Sequence, residues 1–491
     1  MQTRREFLKL VGAGLVLSGA GCQQRETGTL VNDVHSQLNP TRVHKILSPD
    51  SIESLQAAVQ TARRDGLAVS IAGGRHAMGG QQFGAGTLLL DMSGMKRILK
   101  LDSERGLVEV EAGIEWPEVV QGLLDRQRDA KKPWGIIQKQ TGADRLSIGG
   151  ALGANIHGRG LRFRPFIQDV ESFTLLTADG ELRQCSRREN SELFRLAIGG
   201  YGLFGVIATV TLRLMPRTKL ERNVEIIDIE KLMPALERRI AAGYLYGDCQ
   251  FSTDMASDGF LKTGVFSCYR PLPTGASMPP EQKELAEKDW RELYYLAHAD
   301  TRRTYEAYSS YYLSTNKQRY WSDTHQLSVY VDDYHKEVDR RIGGAPGTEM
   351  ISELYVPRAA LSEFLKNVRT DFRQHGTQLI YGTIRLIEKD SESFLAWARE
   401  PWACVVMNLH VTHSEEGRRR AEDAFRRLID RAIEHGGSYF LTYHRWANRA
   451  QVEACYPQMS EFLRHKRHHD PQEVFQSDWY RHYRTMFADK L

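Results

Sequence analysis

Two stretches dense in glycine, each set among strand-like residues, restrict this chain more than any other feature. Residues 73–84 read GGRHAMGGQQFG, and residues 141–160 read TGADRLSIGGALGANIHGRG. That glycine density argues against one regular element across either stretch. Two such loops suit backbone amides that approach a long, phosphate-bearing ligand. The first loop departs from Gly-x-Gly-x-x-Gly and no helical pattern follows it directly, so a Rossmann-type site is not expected. Gly-Lys-Ser/Thr is absent, which removes a P-loop. A phosphate cradle needs no imidazole, so His76 in the middle of the first loop requires a separate explanation.

The patterns around these loops alternate between helix and strand. Ser48-Pro49 is expected to open a helix, with Ile52, Leu55, Val59 and Ala62 as its apolar stripe and Gly66 at its end. Residues 68–71, 87–92 and 107–112 read as strands. Asp179-Gly180 marks a hairpin between 173–178 and 181–185. A helix from Ser191 stops at Gly199-Gly200, and a long alternating strand then runs to Pro216, a natural boundary. Beyond it lies a region of strands and helices with one exposed loop at 271–280, PLPTGASMPP.

The first 22 residues differ from the rest. Arg4-Arg5 precedes a short apolar run and small residues, the order of a twin-arginine export signal. The run is too short to span a bilayer permanently. Cys22 is a candidate for lipid attachment, and hence for membrane anchoring. Residues 23–37 are polar, lack periodicity and read as a linker. The remaining cysteines, Cys185, Cys249, Cys268, Cys404 and Cys455, form no Cys-x-x-Cys pair; they read as buried thiols. A net charge of +4, from 66 basic and 62 acidic residues, gives no field suited to nucleic acid. No metal site is expected, because His465, His468 and His469 stand among Lys466 and Arg467 in what reads as a solvated basic turn.

Three ordered segments resemble the vanillyl-alcohol-oxidase superfamily, whose FAD domain is of the p-cresol-methylhydroxylase (PCMH) type. They are Gly73-Gly74-Arg75-His76 followed by residues 89–93, LLDMS; Ser147-Ile148-Gly149-Gly150-Ala151 leading to Asn155-Ile156-His157-Gly158; and Asp179-Gly180 followed by Leu193-Phe194 and residues 199–207, GGYGLFGVI. The resemblance runs from about residue 40 to 216 and returns in the tail. It implies an α+β chain: a two-subdomain PCMH-type FAD-binding domain over 38–216, an α+β substrate (cap) domain over 217–455, and a C-terminal segment, 456–491, that returns to the FAD domain. It implies FAD held by Gly73, Gly74, Arg75, His76, Ala77, Gln81, Thr141, Ser147, Gly149, Gly150, Asn155, His157, Gly205 and Ile207. In many members the histidine at the place of His76 is bonded to the flavin, which accounts for the imidazole: a neutral ring nitrogen is a good nucleophile. The residues 138–147 lack a cysteine for a second bond.

The nearest branches are the aldonolactone and alditol oxidases and the decaprenylphosphoryl-ribose oxidases; a sterol-reductase branch is also similar. The resemblance implies an oxidoreductase that takes hydride from a CH–OH group of an aldonolactone, alditol or glycosyl lipid. His157 beside the flavin, Arg385 and His444 are the catalytic candidates. Residues 381–390, YGTIRLIEKD, resemble a segment lining the substrate pocket, and strand alternation puts Thr383 and Arg385 on one face. His410 and His413 read equally as pocket residues or as polar residues of an edge strand. Ile156 is bulky where oxygen-reducing members carry a small residue, so a quinone or another carrier is the expected electron acceptor. The rival reading is a non-catalytic, lipid-anchored binding protein on the same scaffold.

Overall fold

A computed structural model of the chain describes residues 28–328, 331 and 333–491. The export signal, Cys22 and the start of the linker lie outside the described residues. Among the described residues the strands form three principal sheets and one short pair. The smallest principal sheet is parallel, with Leu88–Asp91 between Lys45–Leu47 and Val69–Ala72. Its strands are nearly continuous apolar runs, and helix Ile52–Arg64 connects the two outer strands, as parallel pairing requires. Leu55, Val59 and Ala62 of that helix pack with Val69, Leu88 and Leu90. Ser51, not Ser48, caps the helix: its side chain accepts from Ser54 N–H at 3.2 Å, and the Ser54 hydroxyl lies 3.1 Å from Ser51 N–H. Pro49 stays outside the helix.

The second sheet is antiparallel and six-stranded. Its long strand Val206–Pro216 pairs with Val170–Leu176, Leu107–Glu111 and Trp134–Ile136. Val170–Leu176 and Leu182–Ser186 form the hairpin turned by Gly180 at φ 88°. After Pro216 the chain changes sheets. Strand Lys219–Asp228 enters an eight-stranded antiparallel sheet with Thr263–Pro271, Tyr246–Phe251, Leu379–Ile387, Trp402–Thr412 and Gly347–Pro357 as successive neighbours. Helices Leu361–His375 and Glu415–Glu434 bury Phe364, Val368, Phe425 and Leu428 in the core of this unit. Helices Glu287–Ala299, Thr301–Ser314 and Tyr334–Ile342 lie elsewhere on it.

The chain end threads back to the small sheet. Val69 N–H donates to the Val474 carbonyl at 2.6 Å, and Gln476 N–H donates to the Val69 carbonyl at 2.8 Å. Buried Asp470 holds this return by accepting from Val474 N–H, Phe475 N–H and buried Lys466. His465 and His469 sit on helix Met459–His469 facing Glu192, not in a turn.

Residues 28–37 are not a linker. Thr29–Val31 pairs with Thr41–Val43. The next residues wrap around the Asp33 carboxylate, which accepts from His35, Ser36 and Gln37 N–H groups and from the Asn39 side chain. A short aspartate turn of this kind leaves no apolar periodicity to read. The five described cysteines are buried and unpaired, and no described helix is long and apolar enough to cross a membrane.

Candidate active site

A single cavity of about 1220 Å³ lies between the two glycine-rich loops and one face of the eight-stranded sheet. The loop after strand Val69–Ala72 supplies Gly73, Gly74, Arg75, His76, Ala77 and Gln81 to its wall. The second loop supplies Thr141, Ser147, Gly149, Gly150 and His157. Gly205 and Ile207 enter from the start of strand Val206–Pro216, and Arg385 from strand Leu379–Ile387.

The wall is backbone because side chains do not fit behind it. A Cβ on Gly73 would stand 2.0 Å from Ser147 Oγ, and one on Gly74 would stand 2.2 Å from the Arg145 carbonyl. Gly142 and Gly153 line the same cavity and face open space, where an added Cβ meets no heavy atom within 4 Å. A long ligand with many acceptors fits that shape, and FAD is such a ligand. Residues 148–154 form a short helix within the second stretch, capped by Ser147, whose side chain accepts from Gly150 N–H at 3.3 Å. Buried Lys139 fixes the wall around Thr141: its ammonium donates to the Asp144 carboxylate at 2.8 Å and to the Gln140 and Gln326 carbonyls.

His76 is half-buried on the cavity wall, with its Nδ1 atom shielded from water. Burial, and then the neighbouring His35, push its pKa down to about 4. The imidazole is therefore neutral at ordinary pH. Arg75 donates to the Asp91 carboxylate at 2.9 Å and so ties the loop to its parent sheet. Gln81 donates to the Leu441 and Thr442 carbonyls, linking the same loop to the far end of the chain.

His157 meets Glu353 at 2.8 Å through Nε2, while Nδ1 faces the Gly158 carbonyl at 3.0 Å. Glu353 also accepts from the Tyr355 hydroxyl and, at 3.1 Å, from the Tyr443 hydroxyl. Burial pushes the Glu353 carboxyl up, but His157, Tyr355 and Arg385 together outweigh it and hold the group below the ordinary carboxylate value. Arg385 donates to the Thr141 hydroxyl and so bridges the cap sheet to the second loop.

Two expected site residues stand off the cavity. Asn155 does not line it. Asn155 ends the short helix in left-handed conformation, φ 47°, and donates to Asp390 at 2.9 Å and Ser393 at 3.3 Å while accepting from Ile167 N–H. These bonds consume its side chain and make it a joint between the two glycine-loop and cap units. His444 is also absent from the cavity wall. Its ring lies on Trp446 and against Phe425, and burial drives its pKa well below the usual histidine value. The neighbouring Tyr443 takes the place at the cavity. Thr383 does share a face with Arg385, yet it is fully buried and donates to the Cys249 carbonyl at 3.4 Å.

Glu353 and Tyr443 escaped the sequence reading. The signal for Glu353 was present: residues 349–357, EMISELYVP, place two carboxylates four apart in an otherwise apolar strand. That spacing puts both on one face. Register adds Asn408 and His410 opposite Ile351 and Glu349, so the polar face is shared across strands. Strand Trp402–Thr412 is interior to the sheet, which removes the edge-strand reading of His410. His413 lies just past it, with Nε2 2.8 Å from the Thr348 hydroxyl.

Residues 43–186 match the FAD binding domain family. Over 476 residues the chain is 25% identical to decaprenylphosphoryl-beta-D-ribose oxidase of Mycolicibacterium smegmatis, covering 89% of this chain and 94% of that protein. It is 23% identical over 441 residues to L-gulono-1,4-lactone dehydrogenase of Mycobacterium tuberculosis, covering 89% and 95%. A match to bovine L-gulonolactone oxidase is 30% identical over 192 residues and spans 39% of this chain and 42% of the relative.

Proposed function

From a chain that carries a PCMH-type FAD-binding domain, we propose an exported FAD-dependent oxidoreductase that oxidises a CH–OH group of a carbohydrate-like substrate. The observation that carries this reading is one cavity that unites both glycine-rich loops with the Tyr443–Glu353–His157 cluster and Arg385. The names of the relatives, a ribose-lipid oxidase and sugar-lactone enzymes, support the substrate class.

FAD, when bound, supplies the hydride acceptor. Gly73, Gly74, Gly149 and Gly150 would bring backbone close to it, and His76 would be the residue that bonds its ring. The substrate hydroxyl must lose a proton as hydride leaves. Tyr443 offers the path, because the residue lines the cavity and its hydroxyl already donates to Glu353. His157 opposite Glu353 keeps that carboxylate charged and oriented. Arg385 sets a fixed positive charge at the junction of cap sheet and second loop, where it can hold substrate oxygens. Ile156, buried on the wall, favours a quinone-type acceptor over oxygen. Arg4-Arg5 directs export by the twin-arginine route, and Cys22 is the candidate lipid anchor.

The test is anaerobic mixing of the purified flavoprotein with a panel of aldonolactones, alditols and glycosyl lipids, followed by flavin absorbance. Bleaching by one class, restored by a quinone and lost in Tyr443→Phe, is the expected result. A protein that cannot be loaded with FAD would falsify the reading.

A further inference from the structure

A second polar cluster stands behind the cavity wall, and the proposed oxidation does not use it. Its centre is Glu349, whose side chain is fully buried on strand Gly347–Pro357. His298 Nε2, from helix Glu287–Ala299, lies 2.6 Å from Glu349 Oε1. His335 Nδ1, from helix Tyr334–Ile342, lies 3.1 Å from Oε2. His410 Nδ1, from strand Trp402–Thr412, lies 3.9 Å from Oε1. The donor atoms of His298, Glu349 and His410 all fall within 4.8 Å of one another. Three imidazoles from three elements around one buried carboxylate is far from the usual single ion-pair partner.

We propose that His298, Glu349 and His410, with His335 as a fourth donor, form a binding site for a zinc-type divalent cation. Nitrogen and carboxylate donors in this number suit a borderline ion, and four ligands complete a tetrahedral site. Bonds of about 2.1 Å in a tetrahedron set ligand atoms roughly 3.4 Å apart. His298 and His410 stand 2.6 and 3.9 Å from the same oxygen, Oε1, on either side of that value. His335 stands 3.1 Å from the other oxygen, Oε2, and would move toward the shared ion to complete the shell.

The support around the ligands points the same way. His298 Nδ1 lies 2.8 Å from the Tyr294 carbonyl. A bond there commits an N–H to Nδ1, as the outer hydrogen bond of a metal-ligating histidine does, and leaves Nε2 aimed at Glu349, where a cation would replace the proton that Nε2 shares with the carboxylate. The Tyr334 hydroxyl donates to Glu349 and orients the carboxylate. Gly347 makes room for the His410 ring: a Cβ there would stand 2.4 Å from His410 Cε1. His410 Nδ1 is buried and makes no hydrogen bond among the described residues. A cation here would join helices Glu287–Ala299 and Tyr334–Ile342 to the cap sheet. Trp290, Tyr294 and His335 on those helices line the cavity, so the ion would set the position of its outer wall. The inference does not depend on the oxidation chemistry.

The experiment uses the untagged full chain, loaded with Zn²⁺ or Co²⁺, desalted, and analysed for metal by mass spectrometry. About one retained equivalent per chain is expected, with the visible absorption of tetrahedral Co²⁺. Glu349→Gln and His410→Gln should each lower retention at least about tenfold, with far-UV circular dichroism unchanged. If Glu349→Gln does not fold, His410→Gln alone and the double variant His298→Gln/His410→Gln decide. Folded wild type that retains no metal, or retention that persists in the double variant, overturns the site. So does retention lost through His465→Gln instead, which would place the ion at the exposed Glu192–His465–His469 group.

Discussion

The imidazole of His157 and the carboxylate of Glu353, 196 residues apart in the chain, meet at 2.8 Å on the cavity wall. One comes from the second glycine-rich loop and the other from the cap sheet. Their contact defines where the two halves must register for the site to exist. Glu353→Gln and His157→Gln should each lower kcat by about a hundredfold while FAD content stays intact. The double variant should be no worse than either single one, because the two act as a unit. Glu353 is held below its ordinary value of 4.5, so its stabilising contribution is complete above that value and is lost only as pH falls through the lower folded one. Rapid-reaction measurement of flavin reduction in the three variants checks the coupling.

His76, neutral above about pH 4 because of burial and His35, is ready to act as a nucleophile throughout the physiological range. Denatured wild-type protein should carry flavin fluorescence in a gel, and His76→Ala should not. The rate at which apoprotein acquires the bond should stay level from neutral pH down to the vicinity of pH 4 and fall below it. Fluorescence that survives in His76→Ala would rule out this attachment point.

Gly153 separates cofactor fit from fold stability. It lies in a helix, where glycine is less favourable than alanine by about 0.8–1.0 kcal/mol and methionine ranks close to alanine. Yet a side chain there points into the open cavity. Gly153→Met should melt no lower than wild type in the apo form. Its FAD affinity should fall roughly tenfold to a hundredfold, the equivalent of about 1–3 kcal/mol of overpacking. Equal affinity in titration calorimetry would show that the cofactor does not occupy this part of the cavity.

Asp169 is buried at the end of the short helix Phe166–Asp169, and burial pushes its carboxyl up to about 8 against the pull of Gln138, Gln168 and Arg213. The folded state therefore binds this proton more tightly than the unfolded state, whose value is near 3.8. Stability must fall as pH rises between those values, by up to about 1.4 kcal/mol per unit. Asp169→Asn should match wild type at pH 4 and melt at higher temperature at pH 8. Melting curves across that window that stay parallel for the two proteins would contradict the shift.

Local patterns carried much of the architecture. Alternation around Asp179-Gly180 specified a hairpin, and the glycine loops located most of one cavity wall, because backbone conformation there follows from a missing side chain. Ser51 caps in place of Ser48 because it has Ser54 three residues on and so gains a reciprocal bond. Residues 28–37 look like a linker in sequence because a turn organised by Asp33 has no period to detect.

The chemistry of the site depended on distance instead. His157 and Glu353, Arg385 and Thr141, and Gln81 and Thr442 are pairs brought together only when the sheets stack. Asn155 and His444 stand in motifs that the sequence marks plainly, yet packing turned their side chains away from the cavity. A sequence on its own determines which residues alternate, turn or cap, since those choices are settled within a few bonds. Which polar groups share one water-excluded space is decided by long-range burial, because a carboxylate such as Glu353 stays inside only where partners from distant strands satisfy it.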